Sequence, residues 1–114
     1  MRVLIDECVD PRGKNLFPGH IIATVHDRGW DALEDAGLLA AAQSDFDVLL
    51  TIDRGIEFQQ NIARLRIGIV IAHVSKNQLI HYRVIEKELL AAIDQTRPGL
   101  AHIGRSRSHL GLLS

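Results

Sequence analysis

The chain is predicted to fold as a three-layer α/β/α domain around a mostly parallel sheet of about five strands. Three observations point there. Short β-rich runs alternate with helical segments from one end of the chain to the other, the pattern of a parallel sheet with helices on both faces. The third and fourth runs, Val48-Leu49-Leu50-Thr51-Ile52 and Ile67 to Val74, are almost wholly apolar, as strands covered on both faces must be. No internal repeat, low-complexity segment or linker interrupts the 114 residues.

The elements follow in order. Arg2 to Asp6 reads as a short buried strand. Asp10-Pro11 supplies a helix start, Asp as N-cap and Pro in the first turn. That helix stops near Phe17-Pro18-Gly19, because Pro18 restricts the residue before it and Gly19 readily ends a helix. With Asp10 available to cap, Asp6 and Glu7 are not needed for that job. His20 to Val25 is a second β-rich run, and His26-Asp27-Arg28-Gly29-Trp30 a polar loop with one large aromatic. Asp35 to Ser44 is helical, Asp47 to Ile52 the third strand, and Asp53-Arg54-Gly55 a turn. Ile56 to Leu65 is a short helical stretch, and Ile67 to Val74 the fourth strand. The longest helix runs from about Asn77 to Gln95, with Tyr82, Ile85, Leu89 and Ile93 as its core stripe. A second, weaker stripe of Ile80, Val84 and Ala91 offers a face to another subunit, so a homodimer is expected. Pro98-Gly99 breaks the chain, and Leu100 to Ile103 forms a final edge strand. Residues 1–104 make the domain; 105–114 are a tail with Arg105 and Arg107 among serines.

Composition narrows the function classes. A hydrophobic share of 46% and a charged share of 24% are ordinary for a globular protein. A chain of this length buries roughly two-thirds of its unfolded surface in one core. No apolar run approaches the ~20 residues of a membrane span, and Asp6 stands where a signal peptide would still be apolar. The expected address is cytoplasmic, with no membrane partner. Cys8 is the only cysteine, which excludes an internal disulfide and a cysteine-built metal site. His20, His26, His73, His81, His102 and His109 are dispersed without the spacing of a zinc site. With a net charge of −1, any nucleic-acid contact must be local.

Three separated carboxylates carry the chemistry. Asp6 ends the first strand, Asp53 ends the third, and Asp35 opens the helix between. In an alternating chain, strand ends and the starts of the following helices share one rim, and ligands bind there, beside the point where strand order reverses. The first and third strands are expected to be neighbours or near-neighbours at that point. Gathered negative charges repel unless a cation compensates them, and hard cations such as Mg²⁺ and Mn²⁺ prefer carboxylate and water oxygens. A bound ion of that kind activates a water and stabilises charge on a phosphate. Each acid also has a purely structural reading: Asp35 as N-cap, Asp53 as turn former. Asp6, at the mouth of a buried strand, is harder to assign to structure alone. Thr51 points to the same side as Asp53 and is placed to orient it. Arg54, beside Asp53, suits either a phosphate or an ion pair with the acids.

Several segments together resemble the PIN-like domains, compact relatives of the PIN nucleases. They are Val3-Leu4-Ile5-Asp6-Glu7, then Gly19-His20, then Gly29-Trp30 ahead of Asp35 with Leu38-Leu39-Ala40, and last Phe46-Asp47-Val48-Leu49-Leu50-Thr51-Ile52-Asp53-Arg54. The resemblance implies a Mg²⁺ or Mn²⁺ site that hydrolyses RNA phosphodiesters. Asp6, Asp35 and Asp53 would be its catalytic acids, Asp6, Glu7, Asp35 and Asp53 its metal ligands, and Arg54 and Thr51 its substrate contacts. It also implies a toxin of a toxin–antitoxin pair, held silent by an antitoxin protein. Full PIN nucleases carry a further glutamate in a helix between the first two acids. Glu7 is the nearest equivalent here, ahead of Asp31, Glu34 and Glu57.

Other residues are read as structural: Trp30 as an anchor for its loop rather than a base-stacking platform, Cys8 as a small packed residue, Arg64, Arg66 and Lys76 as solvated charge. Two rival functions remain. Asp6-Glu7, Asp53 and Lys76 loosely resemble the layout of a receiver-like phospho-signalling domain, although its lysine belongs after the fifth strand. The other rival is a PIN-like binding module that keeps the fold and has lost the chemistry.

Overall fold

Five parallel strands form a single sheet. They are β1 (Arg2–Ile5), β2 (Ile21–Thr24), β3 (Val48–Thr51), β4 (Gly68–Ala72) and β5 (Ala101–Gly104), in the order β2-β1-β3-β4-β5. The structure is a computed structural model, and it describes residues 1–10, 12, 17–74 and 79–105. Between β2 and β3 lies α1 (Asp35–Ala42); between β3 and β4 lie α2 (Ile56–Gln59) and a single 3₁₀ turn (Ile62–Arg64); and α3 (Leu79–Val84) and α4 (Glu86–Gln95) precede β5. The helix expected after Asp10-Pro11, and the residues around Lys76 and Asn77, lie outside the described residues, as does nearly all of the tail.

Alternation of side chains along the strands builds two cores. Val3, Ile5, Val48, Leu50, Val70 and Ala72 pack on one face with Tyr82, Ile85, Leu89 and Ile93. Leu4, Leu49, Ile69 and Ile71 pack on the other with Leu38, Leu39, Ala42 and Ile56. Because successive side chains in a strand point to opposite faces, this split places α1 and α2 on one side of the sheet and α3 and α4 on the other. The fold is the three-layer α/β/α arrangement expected, with every strand parallel.

The first and third strands are direct neighbours, with Val3 opposite Val48 and Ile5 opposite Leu50. The chain moves outward from β1 to β2, then returns to the far side of β1 to lay down β3. The β1/β3 border is therefore the switch point of the sheet. Two glycines permit close packing at its other side. A Cβ on Gly68 would lie 2.7 Å and 2.8 Å from Thr96 Oγ1 and Cγ2, and one on Gly104 would lie 2.5 Å from Leu89 Cδ2.

Two helices differ from expectation. The long helix is divided at Ile85, whose φ of −112° and ψ of 21° leave the α region. The division falls on the β-branched pair Val84-Ile85, whose stiff side chains suit a helix interior poorly. Its core stripe is kept: Tyr82, Ile85, Leu89 and Ile93 are all buried. The second stripe faces outward, with Ile80 and Val84 about two-thirds exposed (65% and 67%). The stretch from Ile56 to Leu65 is not one helix, since Gln60 is extended and Asn61 follows outside helical dihedrals, so that Ile62 can turn into the α1-side core.

Trp30 behaves as the loop anchor expected. Its ring meets Phe46 edge-on at 6.2 Å, and the Arg28 guanidinium, ion-paired to Asp45, lies 4.7 Å from the Trp30 ring centre. Among the described residues no helix is long and apolar enough to cross a membrane.

Candidate functional site

The carboxyl ends of β1 and β3 bring Asp6 and Thr51 together. Asp6 continues the ladder one residue past β1, its N–H donating to the Leu50 carbonyl at 2.9 Å. Leu4 and Leu49 face α1, and the two-residue period carries Asp6 and Thr51 to that same face. There the Thr51 hydroxyl donates to Asp6 Oδ2 at 2.9 Å and accepts the Asp53 N–H at 3.1 Å. One buried hydroxyl thus ties the acid that ends β1 to the acid that follows β3. Asp6 is 8% exposed and Thr51 0%. The remaining Asp6 oxygen, Oδ1, accepts the Glu7 N–H at 2.8 Å.

Full burial corrects one expectation. Thr51 cannot touch a substrate, and its hydroxyl orients the carboxylate of Asp6 and the backbone of Asp53 rather than the Asp53 carboxylate. Asp53 combines both of its sequence readings. Its Oδ1 accepts the Gly55 N–H at 2.9 Å and so forms the turn, while its Oδ2 accepts no hydrogen bond among the described residues.

Asp35 joins the other two electrostatically. Its carboxyl is pushed above the ordinary range, first by burial, then by the negative charges of Asp53, Asp6 and Glu34. The N-cap of α1 is Glu34, with no side-chain capping bond, and among the described residues the Asp35 carboxylate accepts no hydrogen bond. The N-cap explanation for Asp35 therefore falls away, and an uncapped, unpaired carboxylate half-buried among like charges remains. No ion pair compensates it: among the described residues none joins a cation to Asp6, Asp35 or Asp53. Arg54 is exposed and makes no ion pair among the described residues.

No family model matches this chain, and no curated protein and no solved structure matches it either.

The outer acids divide. Glu7 is exposed, and its backbone rather than its side chain touches Asp6. Glu34 sits at the start of α1 and adds its charge to that felt by Asp35. Asp31 pairs instead with His26 at 2.9 Å, in the loop that ends near Trp30. The Glu57 side chain lies outside what is described.

Cys8 is the participant that sequence reasoning passed over. Its thiol donates to Asp6 Oδ2 at 3.4 Å and lies 3.4 Å from Thr51 Oγ1. Burial raises its pKa, with Asp6 adding to the rise, while hydrogen bonds from Thr51 and the Ile52 backbone oppose it. The neutral thiol is the stable form here, a hydrogen-bond donor rather than a nucleophile. The only sequence signal was its place two residues after Asp6.

Among the described residues no three His, Cys, Asp or Glu side chains are gathered at ligand distance of one point. The donor chemistry at the rim still suits a hard cation: among the described residues Asp6 is held by three donors, Asp53 keeps one oxygen without a donor, and the Asp35 carboxylate accepts none.

Proposed function

We propose that the chain is a Mg²⁺- or Mn²⁺-dependent phosphodiester hydrolase of PIN-like type, acting on RNA. The observation that supports it is the link from the Asp6 carboxylate through Thr51 to the Asp53 backbone at the β1/β3 border, where open α/β sheets bind their ligands, with Asp35 feeling both charges and no ion pair to the three acids among the described residues. Asp6, Asp35 and Asp53 would hold the ion, with Glu7 and Glu34 at the periphery. A hard ion in such a site supplies an activated water and stabilises charge on the phosphate. The residues of the chain do the rest. Thr51 keeps Asp6 turned to the rim, Asp35 has no ion-pair partner among the described residues and is left for a cation, and Arg54 stands exposed beside Asp53, where a substrate phosphate would pass. The toxin role, the antitoxin partner and the homodimer stay with the resemblance and with the apolar face of Ile80 and Val84.

A melting curve and a cleavage assay test this together. Mn²⁺ raises the melting temperature of the wild type and supports cleavage of single-stranded RNA, and Asp6→Asn combined with Asp53→Asn abolishes both. Equal Mn²⁺ shifts in the two proteins would sink the metal-site reading. Metal binding without cleavage would leave the non-catalytic module.

One observation favours a second reading. The strand order β2-β1-β3-β4-β5 is shared with the receiver-like domains, and Asp53 follows β3 with one oxygen free. A small phosphodonor separates the two: a stable acyl phosphate on Asp53 selects signalling over hydrolysis.

A further inference from the structure

The residues that lead into the strands gather at the end of the sheet opposite the rim. Met1 precedes β1, Asp47 precedes β3, Arg66 lies just before β4, and Thr96, Arg97 and Pro98 lead towards β5. Because every strand is parallel, these positions share one end, and together they line a cavity of about 280 Å³. Two guanidinium groups and one carboxylate stand on its wall. Arg97 Nη1 donates to the Asp94 and Thr96 carbonyls, both at 2.7 Å, which closes the end of α4 and occupies both hydrogens of that nitrogen. Capping of α4 accounts for Nη1 alone. Nε and Nη2, the edge that grips an oxyanion with two parallel bonds, have no acceptor among the described residues. Arg66 is tied through its backbone N–H to Gln43 Oε1 at 3.1 Å, and its guanidinium makes no ion pair among the described residues. Asp47 Oδ2 accepts the Arg2 N–H at 2.8 Å, while its Oδ1 accepts no hydrogen bond among the described residues.

We propose that this cavity binds a small phosphorylated sugar, with Arg66 and Arg97 holding the phosphate and Asp47 a hydroxyl. Two guanidinium forks offer more donors than the two oxygens of a carboxylate accept, whereas a phosphomonoester presents three acceptor oxygens and close to two negative charges. The fastening of Arg97 to the end of α4 lowers the side-chain freedom lost on binding. Asp47 repels a bare phosphate, but its open oxygen suits a hydroxyl a few bonds away from one, as a sugar supplies. Met1, Pro98 and Thr96, whose own hydroxyl already donates to the Leu100 carbonyl at 3.3 Å, give the carbon skeleton a wall. Apolar surface with a few aimed polar groups is the usual make-up of a small-molecule site. The site uses none of the rim residues and is independent of the hydrolase reading.

Calorimetric titrations of ribose 5-phosphate, ribose and inorganic phosphate into the full chain test this, in EDTA so that no metal at the rim contributes. The wild type binds ribose 5-phosphate saturably, inorganic phosphate at least tenfold more weakly, and ribose without measurable heat. Arg66→Ala weakens ribose 5-phosphate at least tenfold. Arg97→Lys, which keeps the charge and loses the fork, does the same. Arg64→Ala removes an exposed arginine outside the cavity and leaves the affinity unchanged. No saturable binding of ribose 5-phosphate to the wild type overturns the site. So does an equal loss in Arg64→Ala and Arg66→Ala, which would mean attraction to surface charge alone. Inorganic phosphate bound as tightly as ribose 5-phosphate overturns the roles of Asp47 and the apolar wall. Far-UV circular dichroism checks each fold; should Arg97→Lys not fold, an unchanged affinity in Arg66→Ala is by itself the overturning result.

Discussion

Replacing Asp35 with asparagine should stabilise the metal-free protein, an unusual result for a residue at the start of a helix. The substitution keeps size and helix propensity nearly constant. It removes no side-chain hydrogen bond, because among the described residues the Asp35 carboxylate accepts none and does not cap α1. One favourable interaction is lost, that of a negative charge with the positive end of the helix, about 0.3–0.5 kcal/mol at a partly exposed site. Against this, the charge sits among Asp53, Asp6 and Glu34 and is partly desolvated. Solvent-screened charge pairs are each worth roughly 0.2–1 kcal/mol, so three repulsions relieved together amount to about 1–1.5 kcal/mol. The net gain is about 0.5–1 kcal/mol, or roughly 2–4 °C in melting temperature for a domain of this size.

The assay is thermal unfolding followed by circular dichroism, in EDTA at low ionic strength. Added salt should shrink the advantage of Asp35→Asn by screening the rim. Lower pH should shrink it too. The folded-state pKa of Asp35 is raised above its unfolded value, so the folded protein holds the proton more tightly. The cost of the charge is complete above the folded pKa and fades as pH falls through it. With Mn²⁺ at 100 times its Kd the wild type gains about 2.7 kcal/mol, and the variant, one ligand short, falls behind. This reversal of order between EDTA and Mn²⁺ is the signature of a binding site. If Asp35→Asn is neutral or destabilising in EDTA at every salt concentration, Asp35 is an ordinary helix-start residue and the charge argument fails.

Two further outcomes concern the framework of the site. Tyr82, the only tyrosine, is buried and its phenol is pushed up to about 12, chiefly by burial and against the pull of the Asp10 backbone. Its stabilising effect is therefore fully present below pH 10 and is lost as pH rises from 10 to about 12, a loss of up to ~2–3 kcal/mol. Ultraviolet titration of the phenolate should show the high midpoint, and a midpoint near 10 would contradict its burial. Gly68→Ala should cost about 1–3 kcal/mol in urea unfolding, because its new methyl meets both branches of the stiff, buried Thr96 at 2.7 Å and 2.8 Å. A change below about 0.5 kcal/mol would mean that β4 shifts without penalty.

What was legible in the chain was the local part. The apolar runs at Val3–Ile5 and Val48–Thr51 became the central strands, because a strand covered on both faces has no polar position to offer. The stripe of Tyr82, Ile85, Leu89 and Ile93 reached the core even though its helix is divided, since burial of those side chains outweighs helix continuity there. Asp6 and Asp53 were marked by position alone, each at the mouth of an apolar run.

The pairings at the rim were not local. That Thr51 bonds the Asp6 carboxylate, 45 residues away, follows from β1 and β3 lying side by side in register, which no stretch of sequence specifies by itself. The same register brings Cys8 against both and makes a donor of a residue that reads as mere packing. The release of Asp35 from capping likewise depends on how the chain enters α1, with Glu34 in the capping place. Periodicity of side chains settles which residues are buried and in which element they lie. Strand order and register settle which buried groups meet, because a hydrogen bond between distant segments exists only once the sheet has set their separation.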